Sequence, residues 1–198
     1  MRYNPINEKE IKQKAAIPYE KDLGEEFKIV SVGRLVTEKG YDRLLAIQQK
    51  LKELGFNCRL IIIGEGVKRK ELEIFIDKHQ LNDCVTLIGY TDNPYQIMAQ
   101  CQLFVCSSYV EGLSSAVIEA LILGLPIIGT DCGGNKELFQ NGKCGVLVNN
   151  DVQSLFDGIY RTLLNTINYF ELKENCRRRG EDFSYMKQVE DIQNLLLS

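Results

Sequence analysis

From residue 27 onward, short apolar runs alternate regularly with longer amphipathic stretches. The runs Lys28–Val32, Arg59–Ile63, Val85–Ile88, Leu103–Cys106, Ile127–Gly129 and Gly145–Val148 are rich in Val and Ile and have the length of strands. Between them, 41–54, 68–79, 94–100, 114–123 and 134–140 carry apolar residues at helical spacing. Strands separated by helices of this length predict βαβ units and an α/β fold, a doubly wound parallel sheet of about six strands with helices on both faces. After residue 150 the pattern is helical, at 151–165, 168–179 and 185–197. Residues 1–26 are polar, with Pro5 and Pro18 and a short predicted helix at 8–15. The expected division is a lead-in over 1–26, a sheet domain over 27–165 and C-terminal helices over 166–198.

Composition narrows the classes. The 198 residues are 44% apolar and 26% charged, which is enough to build a packed core. The 24 basic and 27 acidic side chains leave a net charge of −3, so a nucleic-acid partner is not expected. Seven cysteines form no CxxC pair and several lie in apolar runs, the pattern of reduced core thiols in a cytoplasmic protein. The opening MRYNPINEKEIK lacks the apolar core of a signal peptide, and no apolar run approaches the roughly 18 residues that span a bilayer.

Candidate chemistry gathers at one end of the strands. The first five predicted strands are followed at once by Gly33-Arg34, Gly64-Glu65-Gly66, Gly89-Tyr90, Ser107–Gly112 and Thr130–Gly134. The turns at the opposite ends, Leu54–Asn57 and Gly124–Pro126, are ordinary. In an open parallel sheet the former share the carboxyl edge, where ligands bind. Arg34 and Lys39 on one short loop suit an anion, since a guanidinium forks onto two oxygens; solvated loop charges are the plainer alternative. Leu113, Ser114 and Ser115 open a predicted helix whose free amides and dipole favour an anion, or whose serines serve only as caps. Glu119, one turn into the apolar SAVIEALIL, needs a partner, either a salt bridge or the diol of a ribose. GxGxxG and Walker A sequences are absent, so the residues themselves indicate only a nucleotide-like ligand.

Four segments in order, GRLVTEKG (33–40), GEG (64–66), SSYVEGLSSAVIEALILGLPIIGTDCGG (107–134) and Glu137 with Gly145–Val148, resemble the nucleotide-binding half of family 4 glycosyltransferases of the GT-B fold. The resemblance covers about residues 27–165 and is most specific in Glu111 and Glu119 with seven residues between them. It implies a Rossmann-like half of a GT-B enzyme and retaining transfer of a sugar from a UDP- or GDP-sugar, with no cofactor and no metal required. By the resemblance, Arg34 and Lys39 hold the diphosphate beside Gly33, and Glu119 takes the ribose. Glu111 positions the donor sugar, with Glu111, Arg34 and Lys39 as the catalytic group. The Gly112, Leu113 and Ser114 amides meet sugar or phosphate, and the base lies near Gly89-Tyr90.

The same resemblance implies a separate N-terminal acceptor domain, entered through the hinge-like Tyr3–Asn7, that receives a glycan or lipid-linked acceptor. This chain alone is then expected to bind donor weakly and transfer little sugar. Phrases such as EGLSSAVIEAL resemble members serving bacterial surface polysaccharide synthesis at the inner face of the membrane. Arg177–Arg179 reads as a solvated helix end, with peripheral contact to anionic lipid as the alternative. An apolar face including Ile192, Leu195, Leu196 and Leu197 offers a homodimer contact. His79 reads as a surface residue, Cys132 as a packed residue beside the site, and Tyr109 as either a stacking platform or a cover. Two other readings keep the nucleotide site: a sugar-nucleotide epimerase of the same architecture, and a non-catalytic nucleotide-binding module. The paired glutamates and the Arg34/Lys39 loop favour transfer.

Overall fold

The computed structural model describes residues 7–165, 167–184, 187 and 193. Six strands form one parallel sheet: β1 (Phe27–Val32), β2 (Cys58–Ile63), β3 (Val85–Gly89), β4 (Leu103–Cys106), β5 (Ile127–Thr130) and β6 (Val146–Val148). Their spatial order is β3-β2-β1-β4-β5-β6, and each pair of neighbours is parallel. β1, β4 and β5 are almost wholly buried, as strands covered on both faces must be. Each predicted strand is present, displaced by at most one residue at an end.

The helices are α1 (Glu8–Ala15), α2 (Tyr41–Glu53), α3 (Arg69–Lys78), α4 (Tyr95–Met98), α5 (Ser115–Ile122), α6 (Asn135–Leu138), α7 (Val152–Leu163) and α8 (Tyr169–Glu181). Two apolar cores lie on opposite faces of the sheet. One joins Val30, Ile61 and Phe104 to Ile11 of α1, Ile97 and Met98 of α4, the apolar side of α5 and Leu172 of α8. The other joins Ile29, Leu60 and Val105 to Leu44 and Leu51 of α2, Leu72 of α3 and Leu155 of α7. α4 and α6 are four residues each, shorter than the sequence pattern predicts. Pro94 precedes the first, and left-handed Gln140 and Asn141 follow soon after the second. A single 3-10 turn at Thr37–Lys39, not predicted, leads through left-handed Gly40 into α2. The predicted helix over 185–197, with Ile192, Leu195, Leu196 and Leu197, lies outside the described residues apart from 187 and 193.

The seven cysteines are free thiols, and all but Cys84 are buried. Burial pushes the thiols of Cys101 and Cys176 up to about 12, which leaves them protonated.

Candidate active site

The strand order reverses between β1 and β4: β1 runs on to β2 and β3 on one side, while β4 to β6 extend on the other. The loops leaving β1 and β4 therefore diverge and leave a crevice at the carboxyl edge, the place where open α/β sheets take their ligands. A cleft of about 590 Å³ opens there, lined by Gly33, Arg34, Glu38, Lys39, Glu111, Gly112, Leu113, Ser114, Ser115 and Glu119, among others. Among the residues to which the resemblance gives catalytic or donor-binding roles, Gly33, Arg34, Lys39, Glu111, Gly112, Leu113, Ser114 and Glu119 line the cleft and Tyr90 stands apart. It is 74% exposed, lies outside this cleft, and donates its hydroxyl to Asp92 Oδ1 at 2.7 Å.

The two loops are tied to each other. Tyr109 N donates to Glu38 O at 2.8 Å, and Ser107 Oγ donates to Lys39 O at 2.8 Å. Thr130 Oγ1 reaches Ser108 O at 2.7 Å, and Gly134 N reaches Gly112 O at 3.0 Å. Gly133 has φ +49°, and a Cβ there would sit 1.5 Å from Glu111 O, so the Gly133-Gly134 pair is the space in which the Glu111 loop rests. The GEG segment has a similar explanation on the other side. A Cβ on Gly64 (φ +145°) would lie 2.0 Å from Gly33 O, so glycine lets the β2 turn press against the β1 turn.

Within this frame Lys39 Nζ lies 2.5 Å from Glu111 Oε2, and Ser108 Oγ donates to the same oxygen at 3.0 Å. Arg34 is exposed at the cleft and forms no side-chain hydrogen bond or ion pair among the described residues. Ser114 is the cap residue of α5, but its side chain makes no capping bond. The first-turn amides of α5 have no carbonyl one turn earlier to accept them. Among the described residues Glu119 forms no ion pair, which corrects the salt-bridge alternative, and its bonded partner there is the Tyr95 hydroxyl, 3.3 Å from Oε1. Burial pushes the Glu119 carboxyl up, and the Tyr95 bond opposes that shift. The Tyr95 phenol is itself raised to about 12, by burial first and by the Glu119 charge second.

Sequence reasoning missed Arg43 and Tyr95. Arg43 is 2% exposed; its Nε donates to Ser107 O at 2.6 Å, and its guanidinium carbon lies 3.9 Å from the centroid of the Tyr109 ring. Its Nη1 and Nη2 have no hydrogen-bond partner among the described residues. Tyr109 thus covers Arg43, with its own hydroxyl donated to Asp42 Oδ2 at 2.8 Å. The signal for Tyr95 was its place just after Pro94, where a short helix could begin. An arginine in the first turn of a helix gives no comparable signal, because such positions usually face solvent.

Elsewhere, Arg177 and Arg178 pair with Glu174, and Arg177 also pairs with Glu181. These ion pairs hold the Glu174 carboxyl down at about 2. Arg179 pairs with Asp182, so all three arginines of the run are engaged with carboxylates of the same helix and its C-terminal end. His79 is half-buried and stacks on Phe75 with ring centroids 4.2 Å apart. Among the described residues no three His, Cys, Asp or Glu side chains form a group that could hold a metal ion, and no helix is long and apolar enough to cross a membrane.

A doubly wound parallel sheet with a crevice at its carboxyl edge is a Rossmann-like α/β architecture, and comparison with known proteins gives the family. The sequence profile of "Glycosyl transferases group 1" matches residues 12–183, and the chain belongs to that family of glycosyltransferases. A Campylobacter jejuni N-acetylgalactosamine-N,N'-diacetylbacillosaminyl-diphospho-undecaprenol 4-alpha-N-acetylgalactosaminyltransferase is 34% identical over 98% of this chain and 52% of its own length. The Staphylococcus aureus capsular polysaccharide biosynthesis glycosyltransferase CapM is 29% identical over 89% of this chain and 47% of its own length. The chain therefore spans about half the length of these relatives. Among solved structures, Anabaena HepE in complex with UDP superposes with a TM-score of 0.77 at 23% identity, over 86% of this chain and 48% of that one. A Staphylococcus aureus TarM variant bound to UDP gives 0.74 at 26% identity, over 87% of this chain and 36% of that one.

Proposed function

We propose that this chain is the donor-binding half of a retaining glycosyltransferase that holds a UDP-sugar at the β1/β4 crevice. The observation that carries the reading is the convergence of Arg34, Lys39, Glu111, Glu119 and the α5 N-terminus on one cleft. Arg34 and Lys39 grip the diphosphate, with help from the first-turn amides of α5. As the sugar–phosphate bond breaks, negative charge grows on the β-phosphate, and two fixed cations favour that state without a metal ion or other cofactor. Glu119 accepts from the ribose hydroxyls, with Tyr95 fixing one of its oxygens. Glu111 faces the donor sugar, the Gly112–Ser114 amides meet sugar or phosphate, and the base lies toward Gly89 and the exposed Tyr90.

UDP, rather than GDP, is favoured because HepE and TarM both carry UDP in their solved complexes. The acceptor is a glycan or a lipid-linked sugar engaged through a further domain, at the cytoplasmic face of a membrane. Support comes from the Campylobacter relative, whose name gives a diphospho-undecaprenol acceptor, and from CapM, named for capsular polysaccharide biosynthesis. The chain on its own is expected to bind donor and transfer little sugar.

The test is thermal unfolding with a panel of UDP, GDP and ADP. A ligand that binds only the folded state raises stability by RT ln(1 + [L]/Kd), so millimolar binding is visible at high ligand concentration. A shift with UDP, lost in Arg34→Ala and in Glu119→Ala, is the expected result. An equal shift in those variants would remove the assignment.

A further inference from the structure

The cleft holds two opposite charges against each other. Lys39 and Glu111 meet at 2.5 Å with side chains only 21% and 13% exposed, and the bonded Glu111 oxygen has one other donor, the Ser108 hydroxyl. Neither residue forms another ion pair among the described residues. A diphosphate entering the cleft therefore meets a free Arg34 but a Lys39 already neutralised, with Glu38 as a further carboxylate in the lining.

We propose that the Lys39–Glu111 pair is a lock that the donor opens by exchange: the diphosphate takes Lys39 from Glu111, and the sugar hydroxyls supply the hydrogen-bond donors the released carboxylate then needs. The proposal rests on the donor-site reading above and adds a specificity to it. A mostly buried carboxylate deprived of its cation keeps only Ser108, while a new anion sits nearby; both changes disfavour the charged form that remains. A spent nucleoside diphosphate imposes this cost and offers nothing in return. An intact nucleotide-sugar brings hydroxyl groups to the same place. The pair thus favours loaded donor over spent nucleotide, and its re-formation helps expel the product. The loop geometry suits such an exchange. Ser107 Oγ holds Lys39 O, Tyr109 N holds Glu38 O and Gly134 N holds Gly112 O, so both loops are tethered beside the pair and the exchange needs only side-chain movement.

The experiment is calorimetric titration of UDP alone into the chain and into Glu111→Gln, which keeps the shape and removes the charge. The lock requires Glu111→Gln to bind UDP more tightly, about tenfold for removal of one close competing charge. Glu111→Asp, which withdraws the carboxylate by one methylene, should also tighten binding and serves if the Gln variant fails to fold. Arg34→Ala is the control and should weaken UDP binding. Unchanged or weaker binding in folded Glu111→Gln, with Arg34→Ala weakened, overturns the lock and leaves the donor site standing. No UDP binding by any variant, or binding indifferent to Arg34→Ala, overturns both.

Discussion

The Tyr95 hydroxyl donates to Glu119 Oε1 at 3.3 Å, linking α4 to a carboxylate of α5 that lines the cleft. Burial pushes the Glu119 carboxyl above its ordinary value while this bond pulls it part of the way back. Tyr95, raised to about 12, remains a donor at every pH of interest. The ionised carboxylate is the stronger acceptor for the two hydroxyls of a diol, because protonation turns one of its oxygens into a donor.

UDP affinity is therefore expected to fall on acidification, beginning at a higher pH than an ordinary glutamate would dictate. Removing the bond in Tyr95→Phe raises the Glu119 carboxyl further, so the fall should move to still higher pH. Calorimetric Kd values across a pH series check this. Superimposable profiles for the two proteins would separate Tyr95 from the binding carboxylate.

The same shift has a consequence for stability. An acid whose pKa is raised by folding binds more protons folded than unfolded between the two values, so stability drops as pH rises through that window. Glu119→Gln abolishes that drop. It should melt at a higher temperature than the parent at neutral pH and show no advantage well below the ordinary glutamate range, while losing UDP affinity. A lower melting temperature at neutral pH would contradict the assigned cause.

Gly133→Ala places a Cβ where Glu111 O now lies and asks alanine to adopt φ +49°. Strain and displacement together should cost about 2 kcal/mol or more, read from the urea midpoint. The Glu111 loop must move, so UDP binding should be lost even where the variant is fully folded.

Arg43→Met removes the Nε bond to Ser107 O and the support beneath Tyr109. A lost hydrogen bond of about 1 kcal/mol corresponds to roughly fivefold faster local opening. Amide exchange should accelerate by that order over 107–112 and stay unchanged in α7 and α8. Uniform acceleration throughout the chain would assign Arg43 to general stability instead.

Much of this architecture was legible because it is set by local pattern. The strand runs are short and dominated by Val, Ile and Leu, interrupted only at positions such as Lys28, Ser31, Arg59 and Thr86, and the polar turns leave from one edge, so Arg34, Lys39, Glu111 and Glu119 could be brought together from sequence. The contacts among them were not legible. Lys39 and Glu111 are 72 residues apart, and which oxygen meets which ammonium depends on how the two loops rest on Gly133 and Ser107. Glu119 needed a partner by the cost of burying a charge, yet sequence could not say that the partner is the uncharged Tyr95. Arg43 escaped notice because only the fold of Tyr109 over it makes a first-turn arginine a buried one.

The most direct measurement is a titration of the isotope-labelled chain with UDP, followed by amide chemical shifts. Perturbations concentrated at Gly33–Gly40, Gly112–Ala116 and Glu119 are expected. A second cleft, of about 450 Å³, lies among Lys12, Gly124, Phe170, Lys173 and Arg177, with Glu174 and Glu181 also in its lining and none of the carboxyl-edge loop residues. Shifts confined to that groove, with the Gly33 and Gly112 amides unmoved, would contradict the assignment of the β1/β4 crevice as the donor site.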